Sequence, residues 1–261
     1  MPSDVLEIYI NSRTATRHYD DLISNSMYTL PIIEINKDEK AYICIKSAVI
    51  PNSFYNINNT NNKLNFVLDD DNYTLYLTNA NYNINTFRAH IYDLLFNFDY
   101  GSGNTNHKHW TITYNPKLNK ITYVHQFHNF SFLSSSTCFE MMGFKNGITY
   151  TSNLMMLMSV ICCNMFTVKN IYISSDNFIL NNIDSNNHSQ SNIICSVPVQ
   201  GSSGSFLFYQ DDQKHLVHNI NNLTTLTLKL TDEDGDLIDF NDIHYSLTLE
   251  ITIMSPSIKY N

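Results

Sequence analysis

Hydrophobic and polar positions alternate with a period of two along most of this chain. The clearest case is its C-terminal stretch, Leu216 to Met254. Leu226, Leu228 and Leu230 alternate with Thr225, Thr227 and Lys229; further on, Leu247, Leu249, Ile251 and Ile253 alternate with Ser246, Thr248, Glu250 and Thr252. Such alternation places one set on a buried sheet face and the other toward water. Between the two runs lies Asp232-Glu233-Asp234-Gly235-Asp236. Asp-Gly is a strong hairpin signal, because a type I′ turn needs positive φ at both central residues. The pattern therefore predicts a terminal antiparallel hairpin, with a second, shorter break at Asn241-Asp242.

The same reading, taken from the N-terminus, gives a short first strand over Val5–Asn11 and a polar arm or loop over Ser12–Asn25. Strands follow at Met27–Ile35 and Ala41–Ile50, then a hairpin of Lys63–Leu68 and Tyr73–Thr78 about Asp69-Asp70-Asp71-Asn72. The period then changes. Ile84, Phe87, Ile91, Leu94, Leu95 and Phe98 recur at helical spacing, which predicts one amphipathic helix over Ile84–Asn97 capped by Asn83 or Asn85. Beyond it, His109–Tyr114 and Lys120–His125 form a hairpin, Phe127–Phe132 is strand-like, and Thr137–Gly143 is a short helical turn closed by Gly143. Thr149–Val160 and Thr167–Ser174 are apolar enough for buried strands, and Ile193–Val199 and Phe206–Tyr209 complete the series. Strands this numerous with one helix predict an all-β fold: a single jelly-roll β-sandwich with one short amphipathic helix and loop insertions. With no linker-like tract and no internal repeat, the economical reading is one domain over 1–261. Residues 1–25 would be an N-terminal strand and arm, and 104–130 and 179–192 peripheral insertions.

Composition narrows the function. The 261 residues are 43% hydrophobic, enough for a packed core, and only 15% charged. Seventeen Tyr and 15 Phe suit half-buried sheet faces and protein interfaces. Glycines number only 7, so the abundant asparagine takes over turn positions. The net charge of −9, with no run of Lys or Arg, argues against a direct nucleic-acid partner. Five cysteines, Cys44, Cys138, Cys162, Cys163 and Cys195, include no C-x-x-C pair, and several sit in apolar runs; reduced, buried thiols and a reducing compartment are expected. Met-Pro-Ser-Asp-Val does not open like a signal peptide, and the longest apolar run, Leu154–Phe166, is too short to span a bilayer.

Candidate chemistry is sparse. His107, His109, His125 and His128 lie on the two arms of one predicted hairpin. If Tyr114 pairs with Ile121, His107 falls opposite His128, with His109 on the same face. Neutral imidazoles so placed can bind zinc or copper. No carboxylate or thiol completes the set, so the simpler reading is a polar strand end, with no metal and no cofactor. Asp232-x-Asp234-x-Asp236 and Asp69-Asp70-Asp71 could bind calcium, but the first lacks the Gly and Glu positions of an EF-hand, since Gly235 is fourth and Ile243 twelfth, and both read more simply as acidic hairpin turns. Gly201-Ser202-Ser203-Gly204 misses the nucleophile-elbow spacing. No catalytic residue is assigned.

Several segments, in order, carry a family resemblance. They are Ala48-Val49-Ile50-Pro51-Asn52-Ser53-Phe54-Tyr55-Asn56-Ile57; Asn81-Tyr82-Asn83-Ile84-Asn85-Thr86-Phe87; Met141-Met142-Gly143-Phe144; Asn170-Ile171-Tyr172-Ile173-Ser174-Ser175; and Leu228 through Asp232, Asp234 and Gly235 to Leu249. Together they resemble the minor capsid (penton) protein of virophages and Polinton-like viruses. A Met stands for the usual Leu in the third segment, and Asn81 where Gly is expected. The resemblance implies a non-enzymatic virion protein with one upright jelly roll, five copies of which close each fivefold vertex of an icosahedral capsid. Its partners would be its own copies and a double-jelly-roll major capsid protein, and it would be made in the host cytoplasm or a viral factory. Ile50, Pro51, Asn52, Phe54, Tyr55, Gly143, Phe144, Asp232, Asp234 and Gly235 are then structural signature positions. Competing readings are a jelly-roll carbohydrate-binding module, with Tyr73, Tyr76 and Tyr82 as its aromatic face, and a metal-dependent jelly-roll enzyme using the hairpin histidines.

Overall fold

The computed structural model describes residues 3–101, 105–180, 182–183, 190–218 and 222–255. The chain divides into two compact units, 1–54 with 168–261, and 55–167. Each has its own hydrophobic cluster. Where the sequence pattern led to one domain with two small insertions, one large unit is inserted instead.

The first unit is a jelly roll. Among the described residues eight principal strands build it, in chain order Ser3–Asn11, Leu22–Ile33, Lys40–Pro51, Asn170–Ser174, Ile193–Pro198, Phe206–Gln210 (resumed at His215–His218), Leu223–Thr231 and Ser246–Met254, with the short Arg17–Tyr19 and Ile179–Leu180 added at sheet edges. One sheet runs first, eighth, third, sixth; the other runs fifth, fourth, seventh, second. All pairings are antiparallel. This interleaving of early and late strands is the double Greek key of a jelly roll. Inward residues of both sheets, among them Ile43, Ile45, Leu249 and Ile251 from one and Ile171, Leu226, Leu228 and Leu230 from the other, share one core. The second strand begins at Leu22, inside the stretch expected to be a polar arm.

The predicted terminal hairpin does not form. Leu223–Thr231 and Ser246–Met254 belong to opposite sheets. Gly235 does take positive φ, at 88°, but the turn only bends the chain. Thr231 bridges Leu237, and the chain then departs to cross between the sheets. Asn241 and Asp242, with φ of 50° and 60°, make the second break. Seven of the nine described non-glycine residues at positive φ are Asp or Asn, which tolerate that region through local side-chain hydrogen bonds.

The inserted unit holds the helix and two small sheets. One sheet runs Tyr150–Thr151, Phe130–Phe132, Lys63–Leu68, Asp71–Tyr76; the other runs Met156–Met158, Lys120–His125, Trp110–Asn115. The helix spans Ile84–Asn97 as its periodicity predicts, and Phe87, Ile91 and Leu95 form its buried stripe. Asn83 is the cap: its side chain accepts from the amides of Asn85 and Thr86, and Thr86 Oγ1 accepts from the Asn83 amide. The described part of the stretch 104–130 is not peripheral. Trp110, Ile112, Ile121, Tyr123 and Phe130 are buried in this unit's core. Half of 179–192 lies outside the described residues; within it Leu180 is fully buried and pairs with Val217. The apolar run 149–160 contributes only short strands. Leu154, 83% exposed, and Met155 sit at a hairpin tip with φ of 50° and 62°.

On the outer face of the first sheet, Glu7 stands directly opposite Glu250. Two like charges at that spacing repel, and Lys46 lies against both carboxylates. Lys214 Nζ donates to Glu250 Oε1 at 2.6 Å, and Thr252 Oγ1 donates to the same atom. The Lys214 hydrogen bond comes first among the causes that hold the Glu250 carboxyl below the usual carboxylate range. A carboxyl lowered on folding stabilises above its unfolded value near 4.5, and that stabilisation is lost as pH falls through the lower folded value. Glu250→Gln is therefore expected to cost roughly 1–2 kcal/mol at pH 7, with the gap to wild type closing toward pH 3 in chemical denaturation. A gap independent of pH would show that the charge is not what matters.

Candidate functional site

The signature residues serve as joints. Ile50 is fully buried at the end of the third jelly-roll strand, where Pro51 pairs with Phe206. Asn52 is buried against the 201–205 turn: its amide donates to Ser205 O at 2.9 Å, its Nδ2 to Ser202 O at 3.2 Å, and its carbonyl accepts from the Gly204 amide at 2.7 Å. Phe54 meets Phe240 edge-on at 6.4 Å, and Ser53 Oγ and Asn241 Nδ2 clamp the two segments together. Tyr55, 40% exposed, opens the inserted unit. The next residue, Asn56, uses its whole amide: Nδ2 donates to Tyr82 O and Met165 O, and Oδ1 accepts from the Tyr82 amide. It thus ties the start of that unit to its end.

Gly143 ends the Phe139–Met142 helical turn in the left-handed region, φ 81°. A Cβ there would lie 2.6 Å from Ser159 Cβ and 2.8 Å from Ile161 O. Ser159 cannot retreat, because its hydroxyl donates to Met142 O and accepts from the Ile121 amide. Phe144 is fully buried among Tyr123, Phe132, Phe139 and Tyr150. In the jelly roll, Asp232 Oδ1 accepts from the amides of Asp234 and Asp236, so this carboxylate is spent on its own turn. Burial pushes the Asp232 carboxyl up, against those two hydrogen bonds. Glu233 Oε1 accepts from the amides of Lys169 and Asn170, a contact that the sequence pattern did not disclose. Asp234 is exposed on the turn.

The histidine hairpin has the expected register, with Tyr114 opposite Ile121. It brings His107 and His128 together, ring centroids 5.1 Å apart. His109 is not part of the group; its ring abuts Phe127 at 4.9 Å. The carboxylate that the hairpin lacks comes from another one. Asp69, in the two-residue turn joining Lys63–Leu68 to Asp71–Tyr76, places Oδ1 3.2 Å from His128 Nδ1 and Oδ2 3.7 Å from His107 Nε2. One ligand-type atom from each of the three residues lies within 4.8 Å of the other two. From the sequence Asp69 was a calcium candidate or plain acidic turn residue, not a partner of the histidines, because only the tertiary fold brings it to them; in the structure Asp69 and Asp70 both take positive φ.

His125 lies behind this group and is fully buried. Its Nδ1 accepts from the His128 amide at 3.0 Å, so its Nε2 carries the proton and donates to His107 O at 3.2 Å. Burial pushes its imidazole down to about 4. The five cysteines are free, Cys162 exposed and Cys44, Cys138 and Cys163 buried.

The tyrosines named for a sugar-binding face do not share one. Tyr73 and Tyr76 are three residues apart on one strand and point to opposite faces. Tyr73 packs against Phe66, Phe98, Tyr100 and His107, and Tyr82 stacks on His90 at 5.1 Å. No helix among the described residues is long and apolar enough to cross a membrane.

No family model matches the sequence, and no curated protein matches it either. Among solved structures, the fold is similar to the crystal structure of the mavirus penton protein. The TM-score is 0.51 at 8% sequence identity, covering 97% of this chain and 100% of that one. The chain therefore shares the all-β penton fold that its sequence segments resemble.

Gly143 supplies a direct check on the signature. Gly143→Ala is expected to destabilise the protein by more than about 2 kcal/mol, combining left-handed strain with the clash at Ser159. Gly147 has φ 75°, and a methyl there would meet nothing within 4 Å, so the same change should cost only about 1 kcal/mol. Equal losses in thermal melts would refute the role of the Ser159 contact.

Proposed function

We propose that this chain is a minor capsid protein of the penton type, a structural rather than catalytic component of a virion. The observation that carries the proposal is the likeness to the mavirus penton protein over nearly the whole of both chains. The interleaved jelly-roll strand order supports it, as do the structural roles of the signature residues around Asn52, Phe54 and Gly143.

The proposed assembly is a homopentamer at the fivefold vertices of an icosahedral shell, flanked by a double-jelly-roll major capsid protein. A ring requires two different surfaces on each copy, meeting head to tail. The jelly roll offers a suitable pair on one sheet. At its first-strand edge Val5 and Tyr9 are 56% and 77% exposed; at its sixth-strand edge Phe206 and Phe208 are 50% and 79% exposed. Exposed aromatics of this size are the usual anchors of protein contacts. Assembly would take place where the virion forms, in the host cytoplasm or a viral factory, without direct contact to nucleic acid.

Light scattering on the purified chain, alone and mixed with a double-jelly-roll major capsid protein, tests this. The expected species is a fivefold multiple of the 30.2 kDa chain, seen as five-lobed rings in negative stain. Phe208→Glu and Tyr9→Glu should each break it into folded monomers. A chain that stays monomeric under both conditions overturns the proposal.

A further inference from the structure

Independently of that assembly, we propose that Asp69, His107 and His128 form a binding site for one zinc-like divalent cation in the inserted unit. The donor set is two imidazoles and one carboxylate, the chemistry that zinc and its late first-row neighbours prefer over magnesium or calcium. A tetrahedral ion with bonds of about 2.0–2.1 Å holds its ligand atoms roughly 3.4 Å apart. The two carboxylate oxygens of Asp69 reach the two imidazoles at distances near that value, Oδ1 to His128 Nδ1 at 3.2 Å and Oδ2 to His107 Nε2 at 3.7 Å, and one ligand atom from each residue lies within 4.8 Å of the others. Three protein ligands leave the fourth position to water.

The surrounding groups orient the ligands as metal sites require. With Nε2 of His107 facing the ion, Nδ1 carries the proton and donates to Tyr73 Oη, 3.3 Å away. Tyr73 in turn donates to Asp71 Oδ2 at 3.4 Å. Such an outer partner fixes the tautomer and ring plane of a ligating histidine. His125 holds the other side, taking the His128 amide at one nitrogen and giving a hydrogen bond to the His107 carbonyl at the other. It is a positioning residue for both imidazoles. The ring of Tyr100 stands edge-on to His107 at 5.4 Å and closes the site on the core side.

The ion would act as a staple. Asp69 belongs to the turn of one small sheet, His107 leads into the first strand of the other, and His128 lies on the link between them. One cation joining all three would hold the two sheets of this unit in register, without any part in catalysis.

The experiment uses the full chain, stripped with chelator and titrated with zinc chloride, then with magnesium chloride, by calorimetry. One equivalent of zinc and no magnesium is expected, with a higher melting midpoint in zinc. Asp69 and His128 are part-exposed, with side chains 55% and 22% accessible, so Asp69→Asn and His128→Gln should fold. Circular dichroism checks this. Each variant should weaken zinc binding at least tenfold and abolish the midpoint shift, while His109→Gln should bind as wild type does. Failure of the wild-type chain to take up zinc overturns the proposal even if no variant folds. So does uptake that Asp69→Asn and His128→Gln leave unchanged. Pentamer formation is read separately by mass, so either proposal can fail alone.

Discussion

The strand Ser246–Met254 is the constraint on which the jelly roll depends. It lies between the first and third strands and pairs with each over nearly its whole length. Through it Ser3–Asn11 is joined to Lys40–Pro51, and the sheet cannot close before Ser246–Met254 takes its place. Its inward Leu247, Leu249 and Ile251 are buried against the opposite sheet. Its outward Glu250 is covered by Lys46 and Lys214. Burial on one side and a compensated charge ladder on the other fix its register, since a slip of one residue would exchange the two faces. Contacts of such long sequence separation make folding slow relative to local pairing.

The inserted unit obeys a different logic. It leaves the jelly-roll chain after the third strand and returns before the fourth. Its core is rich in aromatics, with Phe66, Phe87, Trp110, Tyr123, Phe130, Phe132, Phe139 and Phe144 all buried. Local signals lay it out: a capped helix, short hairpins and a glycine-closed turn. Asn56 then joins its first segment to its last through Tyr82 and Met165. Such a unit can be ordered largely by itself, and an insertion so organised burdens the host sandwich with little loop-closure entropy.

The recognisable residues of this chain are thus those that the backbone needs, not those that chemistry needs. Asn52 satisfies a turn, Gly143 admits a close approach, and Asp232 caps its own loop. In the proposed capsid role the chain would work through its shape and its edges, and these residues sit where strands end and segments cross. The exposed aromatics on two opposite sheet edges belong to the same logic.

Much of the local structure was legible in the sequence. Period-two alternation located most strands, the helical spacing gave Ile84–Asn97 with Asn83 as its cap, and the His107–His128 register followed from one pairing. These features rest on interactions between residues close in the chain. Three things were decided only by the tertiary structure. The last two strands went to opposite sheets, because the Asp-Gly turn fixes a bend but not what each strand pairs with. Leu154 stayed exposed although the sequence around it is apolar, because hydrophobicity alone does not say where a hairpin tip will lie. Asp69 joined two histidines from a different hairpin, far along the chain. Partners so distant in sequence are chosen by how sheets pack, and alternation along one strand carries no record of that choice.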